Sequence, residues 1–317
     1  MKNNKTLIGK IKGFPQLSIC VGYIVMFVLL TVMSKDFLTA KNLLNVLRQT
    51  SSTMIVAVGM TLVLITGGID LSVGSVAALS ATMSVAFMVN YQLPVGVSLL
   101  LGLLIGAACG FINGLVISKL QLPAFIVTLA MMSSARGLAL VYTNGKTIVG
   151  VPDSAIKFGQ GYVLSVIPIP VIVMVVILII AGIFITKTVF SRYIYAVGGN
   201  EECAKLSGIN VNKVKIVVYS LSGLSAAIAG IILTMRLASG QPTLGEGLEM
   251  DAIAACVLGG TSLSGGKGFL FGTIIGSIFL TTLSNGLNLM GVSSYMQQVL
   301  KGLIIIAAVC MYERKKK

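Results

Sequence analysis

The sequence has few of the residues on which soluble enzymes depend. It contains no histidine and no tryptophan, and 10% of its 317 residues are charged, against about 25% in an average soluble domain. Without histidine, the commonest metal ligand and the usual acid–base group at neutral pH are missing. The five cysteines lie far apart and never form a CxxC pair, so neither a disulfide framework nor a zinc site is indicated. We therefore expect no metal site and no catalytic centre.

The sequence is instead rich in long uncharged stretches. Hydrophobic residues make up 56% of the chain, and the mean hydropathy is +0.99. Residues 71–118 carry no charge, and this stretch suffices for two bilayer crossings of about 20 residues each. Counting such stretches predicts an all-α, polytopic transmembrane helical bundle of about ten spans. The predicted spans are 17–34, 50–66, 71–89, 95–117, 123–141, 163–186, 216–235, 250–263, 269–287 and 295–311.

The basic residues predict the orientation. The net charge of +14 would suggest nucleic-acid binding in a soluble protein, but here lysine and arginine are better explained by a cytoplasmic membrane face and anionic lipid. An even number of spans places both termini on one side. With the N-terminus inside, most of the 23 Lys and Arg residues lie in cytoplasmic segments. We therefore predict a multi-pass protein of the cytoplasmic membrane with both termini cytoplasmic, and no nucleic-acid partner.

Two glycine-rich stretches interrupt the apolar pattern. GGIDLSVG at 67–74 and GGTSLSGG at 259–266 agree at five of eight positions, and both follow a predicted span. Irregular backbone persists in lipid only where protein or water satisfies its polar groups, so these stretches predict interrupted helices. A true internal repeat and chance similarity in a chain with 36 glycines both stay open. The residues assigned to the helix breaks are Gly67, Gly68, Asp70, Ser72, Gly74, Gly259 and Gly260.

Three charged residues near these spans allow two interpretations each. Asp70 either stabilises the broken helix or a gate, or it is a first-turn acid of the third span next to Ser72. Arg136 and Lys301 fall inside predicted spans, near their outer ends. Each either extends its charged group to the outer interface or faces the bundle, where it lines a path or helps to bind a partner.

The longest predicted cytoplasmic segment, 187–212, contains the signals of a short helix. Asn200 is a suitable N-cap, Glu201 and Glu202 favour the first turn, and Lys205 favours the last turn. Gly208 suits the left-handed residue that ends a helix. A helix over 201–207 is too short to be stable alone, so it packs either on the protein's own face or into a groove of a partner.

The chain has no nucleotide-binding motif of its own. A phosphate-binding loop requires the pattern G-x-x-x-x-G-K-[ST]. Asn144-Gly145-Lys146-Thr147 has the end of this pattern, but Leu140 stands where the first glycine should be. If ATP drives this protein, a separate subunit must bind ATP and magnesium, and this chain holds no cofactor.

These features together resemble the membrane-spanning permeases of bacterial ABC importers for monosaccharides, in the branched-chain amino acid/ribose permease superfamily. GGIDLSVGS at 67–75 is similar to the motif typical of that family, and 193–213 resembles its cytoplasmic coupling segment. The resemblance covers nearly the whole chain, and the C-terminal third is most similar to permeases for ribose. Further similar stretches are 239–243, 248–255, 258–268 and 285–295.

The resemblance implies a function and partners. Residues 1–317 would form one transmembrane permease domain with a coupling segment at about 187–212. It would be a transport subunit rather than an enzyme and would import a neutral monosaccharide, with ribose as the expected cargo. Its partners would be a second permease copy (identical or homologous), cytoplasmic ATP-binding subunits and an extracytoplasmic sugar-binding protein. The residues that would face the ATP-binding subunit are Asn200, Glu201, Lys205, Ser207 and Gly208.

A neutral sugar needs uncharged hydrogen-bonding partners along its path. Candidate residues within the spans or directly at their ends are Gln49, Asn113, Asn288 and Gln297, although such residues more often bond between helices. Two alternatives stay open: the same machinery with another cargo such as autoinducer-2 or xylose, and an ion-coupled secondary transporter. The second is disfavoured because only Asp70 and Asp251 offer carboxylates near the membrane.

Overall fold

The structure, a computed structural model, describes residues 17–314 as a bundle of helices. The lysine-rich start and the last three lysines, which the predicted orientation uses, lie outside the described residues. The helices are α1 (Leu17–Met33), α2 (Ala40–Ile65), α3 (Val73–Val89), α4 (Val95–Lys119), α5 (Ala124–Thr143), α6 (Asp153–Gln160), α7 (Ile169–Lys187), α8 (Val189–Gly199), α9 (Glu201–Leu206), α10 (Val211–Leu237), α11 (Leu248–Leu258), α12 (Leu270–Leu289) and α13 (Ser294–Arg314).

The helices confirm an all-α polytopic membrane protein. Within the described part of the chain, six helices (α2, α4, α5, α7, α10 and α12) are long and apolar enough to cross a bilayer. The apolar stretches 19–33 and 73–89 form shorter helices. One small antiparallel hairpin, β1 (Tyr162–Val163) with β2 (Ile167–Pro168), precedes α7. We call the end of the bundle with α8 and α9 the lower end, and the end with α6 and the hairpin the upper end.

Several helices differ in extent from the predicted spans. α2 begins at Ala40, ten residues before the predicted start, because Thr39 caps it by accepting from the backbone N–H of Asn42. The predicted span 163–186 begins instead with the hairpin, and α7 starts at Ile169 with Pro170 in its first turn. Proline fits that position because its missing N–H has no helical partner there.

The core forms around α10, which packs on α4, α2 and α3. Glycines allow α4 and α10 to approach closely. A Cβ at Gly110 would overlap the carbonyl oxygen of Tyr219, and a Cβ at Gly223 would overlap that of Gly106. Small residues at such crossings let the two helices come into close van der Waals contact. This contact stabilises their association within a bilayer, where the hydrophobic effect does not drive helices together.

Both glycine-rich stretches end a helix in the same way. Gly67 has a φ of +80° and Gly260 a φ of +89°. The next residue in each stretch donates its backbone N–H to the carbonyl five residues back, Gly68 to Val63 at 3.2 Å and Thr261 to Cys256 at 2.9 Å. This is the Schellman arrangement. By backbone geometry Gly67 is therefore equivalent to Gly260. The match between the two stretches in the sequence instead aligns Gly67 with Gly259.

A segment made mostly of turns re-enters the bundle between α10 and α11. At its upper end Gly240 pairs with Ile148 through two backbone hydrogen bonds of 2.8 and 2.9 Å and packs against Val85 of α3. Five residues later, Gly245 lies against Gly74, at the start of α3. Val85 and Gly74 are separated by about 16 Å along the helix axis. Residues 239–247 therefore descend deep into the bundle, and we call them the re-entrant segment.

Candidate functional site

Asp70 holds the first helix break together. Its side chain is fully buried. Oδ1 accepts from the backbone N–H and the hydroxyl of Ser72, at 3.0 and 2.6 Å, and Oδ2 accepts from the hydroxyl of Ser222 on α10, at 2.7 Å. A buried carboxylate without such donors would be costly. Ser72 is the residue before α3, so Asp70 lies outside its first turn, and the geometry favours the interpretation that Asp70 stabilises the break.

Two further helices fix the same break. Asn113 of α4 donates its amide to the Ser72 hydroxyl at 3.0 Å, and Thr128 of α5 donates to the carbonyl of Ile69 at 3.1 Å. A Cβ at Gly68 would overlap the buried hydroxyl of Tyr219. The predicted path residue Asn113 therefore bonds within the break, and α4, α5 and α10 all hold this irregular segment.

The predicted coupling helix forms as α9. Asn200 accepts from the backbone N–H of Cys203 at 2.9 Å, and Gly208 adopts a φ of +82° directly after the helix end. The Ser207 hydroxyl donates to the Cys203 carbonyl at 2.8 Å, so Asn200, Ser207 and Gly208 define the helix ends. Ala204 is the buried residue through which α9 packs on the rest of the protein.

The side of α9 that faces away from the bundle is exposed. Lys205 and Ser207 are exposed, and Leu206 is 89% exposed. Glu201 accepts from Lys215 of α10 at 2.8 Å, with 54% of its side chain exposed. Sequence reasoning missed Leu206 as a candidate contact residue. The available signal was that a large apolar residue follows three charged residues in a short surface helix.

The segment before α9 contacts the last residue of α2 and the second glycine-rich stretch directly. A Cβ at Gly198 of α8 would overlap the carbonyl oxygen of Ile65, and Gly266 donates its backbone N–H to that same oxygen at 2.9 Å. Tyr195 of α8 donates its hydroxyl to the carbonyl of Gly268 at 2.8 Å. Burial raises the pKa of the Tyr195 phenol, so it stays a neutral donor. We call the contact of Ile65, Gly198 and Gly266 the lower junction.

The glycines of the second stretch also allow close packing. A Cβ at Gly259 would overlap the backbone of Gly272 on α12, and a Cβ at Gly272 would overlap Gly259 in turn. The start of α12 is thereby held against the end of α11. A substitution at either position must push two helices apart.

The remaining predicted path residues lie near the upper end. The Asn288 side-chain oxygen accepts from Gln297 at 2.7 Å, so these two residues bond to each other across the turn between α12 and α13. Gln49 lines a cavity of about 200 Å³. Lys301 and Asp251 line it too and form an ion pair of 2.9 Å, so Lys301 faces the bundle.

A larger cavity, of about 460 Å³, lies between α5 and the re-entrant segment. Arg136 enters it and donates through Nη1 to the carbonyl oxygens of Pro242 and Leu244, at 2.6 and 3.0 Å. Arg136 therefore also faces the bundle. The cavity is lined by Ser75, Met132, Ser133, Arg136, Gly137, Leu140, Glu246, Gly247 and Glu249.

Glu246 and Glu249 line this cavity, so the expectation that only Asp70 and Asp251 offer carboxylates near the membrane is wrong. The available signal was Arg136 itself, because a charge within an apolar span needs partners. For metals, no group of three or more His, Cys, Asp or Glu side chains within residues 17–314 is arranged to hold an ion.

The chain is similar to known transport proteins along most of its length. The family "Branched-chain amino acid transport system / permease component" matches residues 42–309. The ribose import permease protein RbsC of Escherichia coli (strain K12) is 48% identical over 300 residues, which cover 93% of each chain. RbsC of Bacillus subtilis (strain 168) is 49% identical over 298 residues, covering 93% of this chain and 92% of the relative.

A relative that is named for xylose transport is less similar. The xylose transport system permease protein XylH of Haemophilus influenzae (strain ATCC 51907 / DSM 11121 / KW20 / Rd) is 35% identical over 342 residues, covering 89% of this chain and 91% of the relative. No solved structure matches the chain. The family match over 42–309, together with relatives near half identity over almost the full length, shows that the chain belongs to the family of branched-chain amino acid transport system permease components.

Proposed function

We propose that this chain is the membrane-spanning permease of an ATP-driven importer that carries ribose across the cytoplasmic membrane. The observation that carries the proposal is the 48–49% identity, over 93% of the chain, to proteins named ribose import permeases. The chain is a transport subunit and not an enzyme. ATP and magnesium belong to a separate subunit.

The proposal includes a topology. Residues 1–317 form one permease domain with ten crossings, in which the re-entrant segment and α11 together make the eighth. α11 alone has 11 residues, or about 16 Å, too short for a bilayer core of about 30 Å. The lower end is cytoplasmic, in keeping with Lys119, Lys187 and Lys205 at that end. Both termini are cytoplasmic as well.

The coupling segment, at about 187–212, receives the ATP-binding subunit. Asn200, Ser207 and Gly208 set the ends of α9, while Glu201 and Lys205 present opposite charges at its surface. Leu206 supplies an exposed apolar group for a groove on the partner. The lower junction links this segment by backbone contact to the last residue of α2 and to Gly266, in the glycine-rich stretch between α11 and α12. A displacement of α8 is therefore passed to the backbone beside both breaks.

The proposed complex has three kinds of partner. A second copy of this chain or a paired homologue completes the pore, two ATP-binding subunits dock at the lower end, and an extracytoplasmic binding protein delivers sugar to the upper end. Gln49, beside the Asp251–Lys301 pair, is the predicted path residue that lines a cavity. The similarity to XylH at 35% identity makes xylose the alternative cargo.

Reconstitution into proteoliposomes tests the proposal. Uptake of radiolabelled ribose should require the cognate ATP-binding subunit, ATP and loaded binding protein together, and xylose and autoinducer-2 should be carried poorly. Uptake by this chain alone that follows an ion gradient would refute the ATP-driven mechanism. Uptake that requires ATP but prefers xylose or autoinducer-2 would refute the cargo while keeping the mechanism.

A further inference from the structure

The cavity between α5 and the re-entrant segment has the size and chemistry of a sugar site. Its volume of about 460 Å³ lies within the range of about 300–1,000 Å³ typical of small-molecule pockets. We infer that this cavity holds the sugar during its passage through the membrane, an inference that rests on the proposed function. It adds a location and named contacts to that function.

The cavity lies at membrane depth. Leu244 packs against Ala78 and Ala81, in the middle of α3. A Cβ at Gly74 would overlap both the Gly245 carbonyl oxygen and a Glu249 carboxylate oxygen, so Glu249 lies against the first turn of α3. The acidic residues of the cavity therefore lie well below the upper end of the bundle.

Polar groups at this depth must face protein or water. Ser133, Glu246 and Gly247 are exposed in the single chain. Ionisable residues within membrane segments face the bundle interior or a water-filled cavity, because lipid penalises them. The open side of this cavity is therefore part of a hydrated path.

The lining offers the groups that recognise sugar hydroxyls. Carboxylate oxygens of Glu246 and Glu249 accept from hydroxyls, and the hydroxyls of Ser75 and Ser133 both donate and accept. Met132 and Leu140 supply apolar surface for the C–H faces of the ring. A neutral polyol uses all three kinds of group, whereas an apolar solute would donate no hydrogen bond to the carboxylates.

Arg136 positions the site. Its Nη1 donates to the carbonyls of Pro242 and Leu244, which hold the re-entrant segment against α5. These carbonyls lie in a turn, outside any helix or strand, and backbone acceptors of this kind need a donor at membrane depth. Arg136 therefore fixes the segment that carries Glu246 and Glu249.

A space-filling substitution tests the inference. A Cβ at Gly137 would meet no atom within 4 Å, so Gly137→Met fills the cavity without a backbone clash. Gly96→Met is the matched control, since a Cβ at Gly96, on α4 outside the cavity, also meets nothing within 4 Å. Ser133→Leu fills the same cavity from an exposed position and replaces Gly137→Met if that variant fails to assemble.

The readouts are ATP-dependent ribose uptake and ATP hydrolysis stimulated by loaded binding protein. Gly137→Met and Ser133→Leu should each lower uptake about tenfold or more, because a filled pocket cannot enclose the sugar. Stimulated ATP hydrolysis should persist, and Gly96→Met should match the unmodified protein in both measurements. Unchanged uptake in both filling variants, or an equal loss in Gly96→Met, would overturn the inference. Absence of ATP-dependent ribose uptake by the unmodified complex would instead refute the proposed function.

Discussion

Gly198 of α8 lies directly against the carbonyl oxygen of Ile65, the last residue of α2. A Cβ at position 198 would overlap that oxygen and lie 2.7 Å from the backbone nitrogen of Gly266. Gly266 itself donates to Ile65 at 2.9 Å. Three segments thus meet through backbone atoms alone. Because no flexible side chain separates them, we expect a displacement of α8 to move the end of α2 and the connection between α11 and α12 with it.

Gly198→Ala should disrupt the lower junction, while Gly199→Ala should not. The new methyl group at 198 has no space between two backbones, and overpacking of this kind costs about 1–3 kcal/mol. A Cβ at Gly199 meets nothing within 4 Å. We expect Gly198→Ala to lower both the melting temperature and ATP-dependent ribose uptake. Equal behaviour of the two variants would contradict the role of the junction.

Leu206→Gln should weaken binding of the ATP-binding subunit without destabilising the permease. Leu206 is 89% exposed, so the folded chain loses little when it becomes polar. Burial of a leucine side chain in a partner's groove contributes about 1.5–3 kcal/mol, and its loss should raise the dissociation constant about tenfold or more. Leu164→Gln is the control, because Leu164 is 85% exposed at the upper end.

Co-purification with the tagged ATP-binding subunit measures this effect. Equal recovery of that subunit with the Leu206 and Leu164 variants would show that Leu206 lies outside the docking surface. A lower melting temperature of Leu206→Gln alone would show that the residue stabilises the permease itself.

Asp70→Ala should destabilise the protein more than Asp70→Asn. Removing the carboxylate leaves two hydroxyls and one backbone N–H without their acceptor, and each unpaired buried group costs about 1–3 kcal/mol. Asparagine keeps an acceptor oxygen, and the Ser222 hydroxyl can turn to accept from its amide. Thermal unfolding measures this order of stability, followed with a thiol-reactive dye in a Cys203→Ser background, because Cys203 is exposed in the folded protein whereas Cys256 is buried. Asp36→Ala, at an exposed acid, should leave the melting temperature unchanged.

Local signals in the sequence predicted the parts of the structure that depend on neighbouring residues. Asn200 and Gly208 delimit α9 as predicted, because capping requires only residues three to four positions apart. The glycine at each helix break was predictable because a left-handed conformation favours glycine. The alignment of the two stretches in the sequence differs by one residue from the equivalence in the structure. Identical residues at 67–74 and 259–266 do not indicate which glycine adopts a positive φ.

Features that depend on distant contacts were not predictable. The re-entrant segment reads as an ordinary outer loop, with Pro242 and Glu246 among its polar residues, and nothing local indicates that it descends along α3. Arg136 bonds to carbonyls more than 100 positions away. One sequence without related sequences contains no information about such pairs, so the larger cavity became visible only in the structure.

The Asp251–Lys301 pair should contribute more to stability than the Glu201–Lys215 pair. The side chains of Lys301 and Asp251 are 23% and 29% exposed, so both members of that pair are partly buried. In the other pair Lys215 is 18% exposed but Glu201 is 54% exposed, so only one member is partly buried. Breaking an ion pair leaves an uncompensated charge, and this costs more where both side chains are partly buried, while exposed pairs contribute about 0–1 kcal/mol. Asp251→Asn should therefore lower the melting temperature clearly, and Glu201→Gln only slightly.

A double-mutant cycle separates the pair from the single side chains. Asp251→Asn together with Lys301→Gln removes both charges, so the double variant should be less destabilised than the sum of the single variants, by about 0.5–3 kcal/mol. The same cycle with Glu201→Gln and Lys215→Gln should give a smaller coupling that fades as salt rises, since exposed charges are screened. If the two cycles gave equal and equally salt-sensitive couplings, the Asp251–Lys301 pair would be a solvated surface contact. The small cavity beside Gln49 would then lie open to bulk water, because the charges that line it would be fully hydrated.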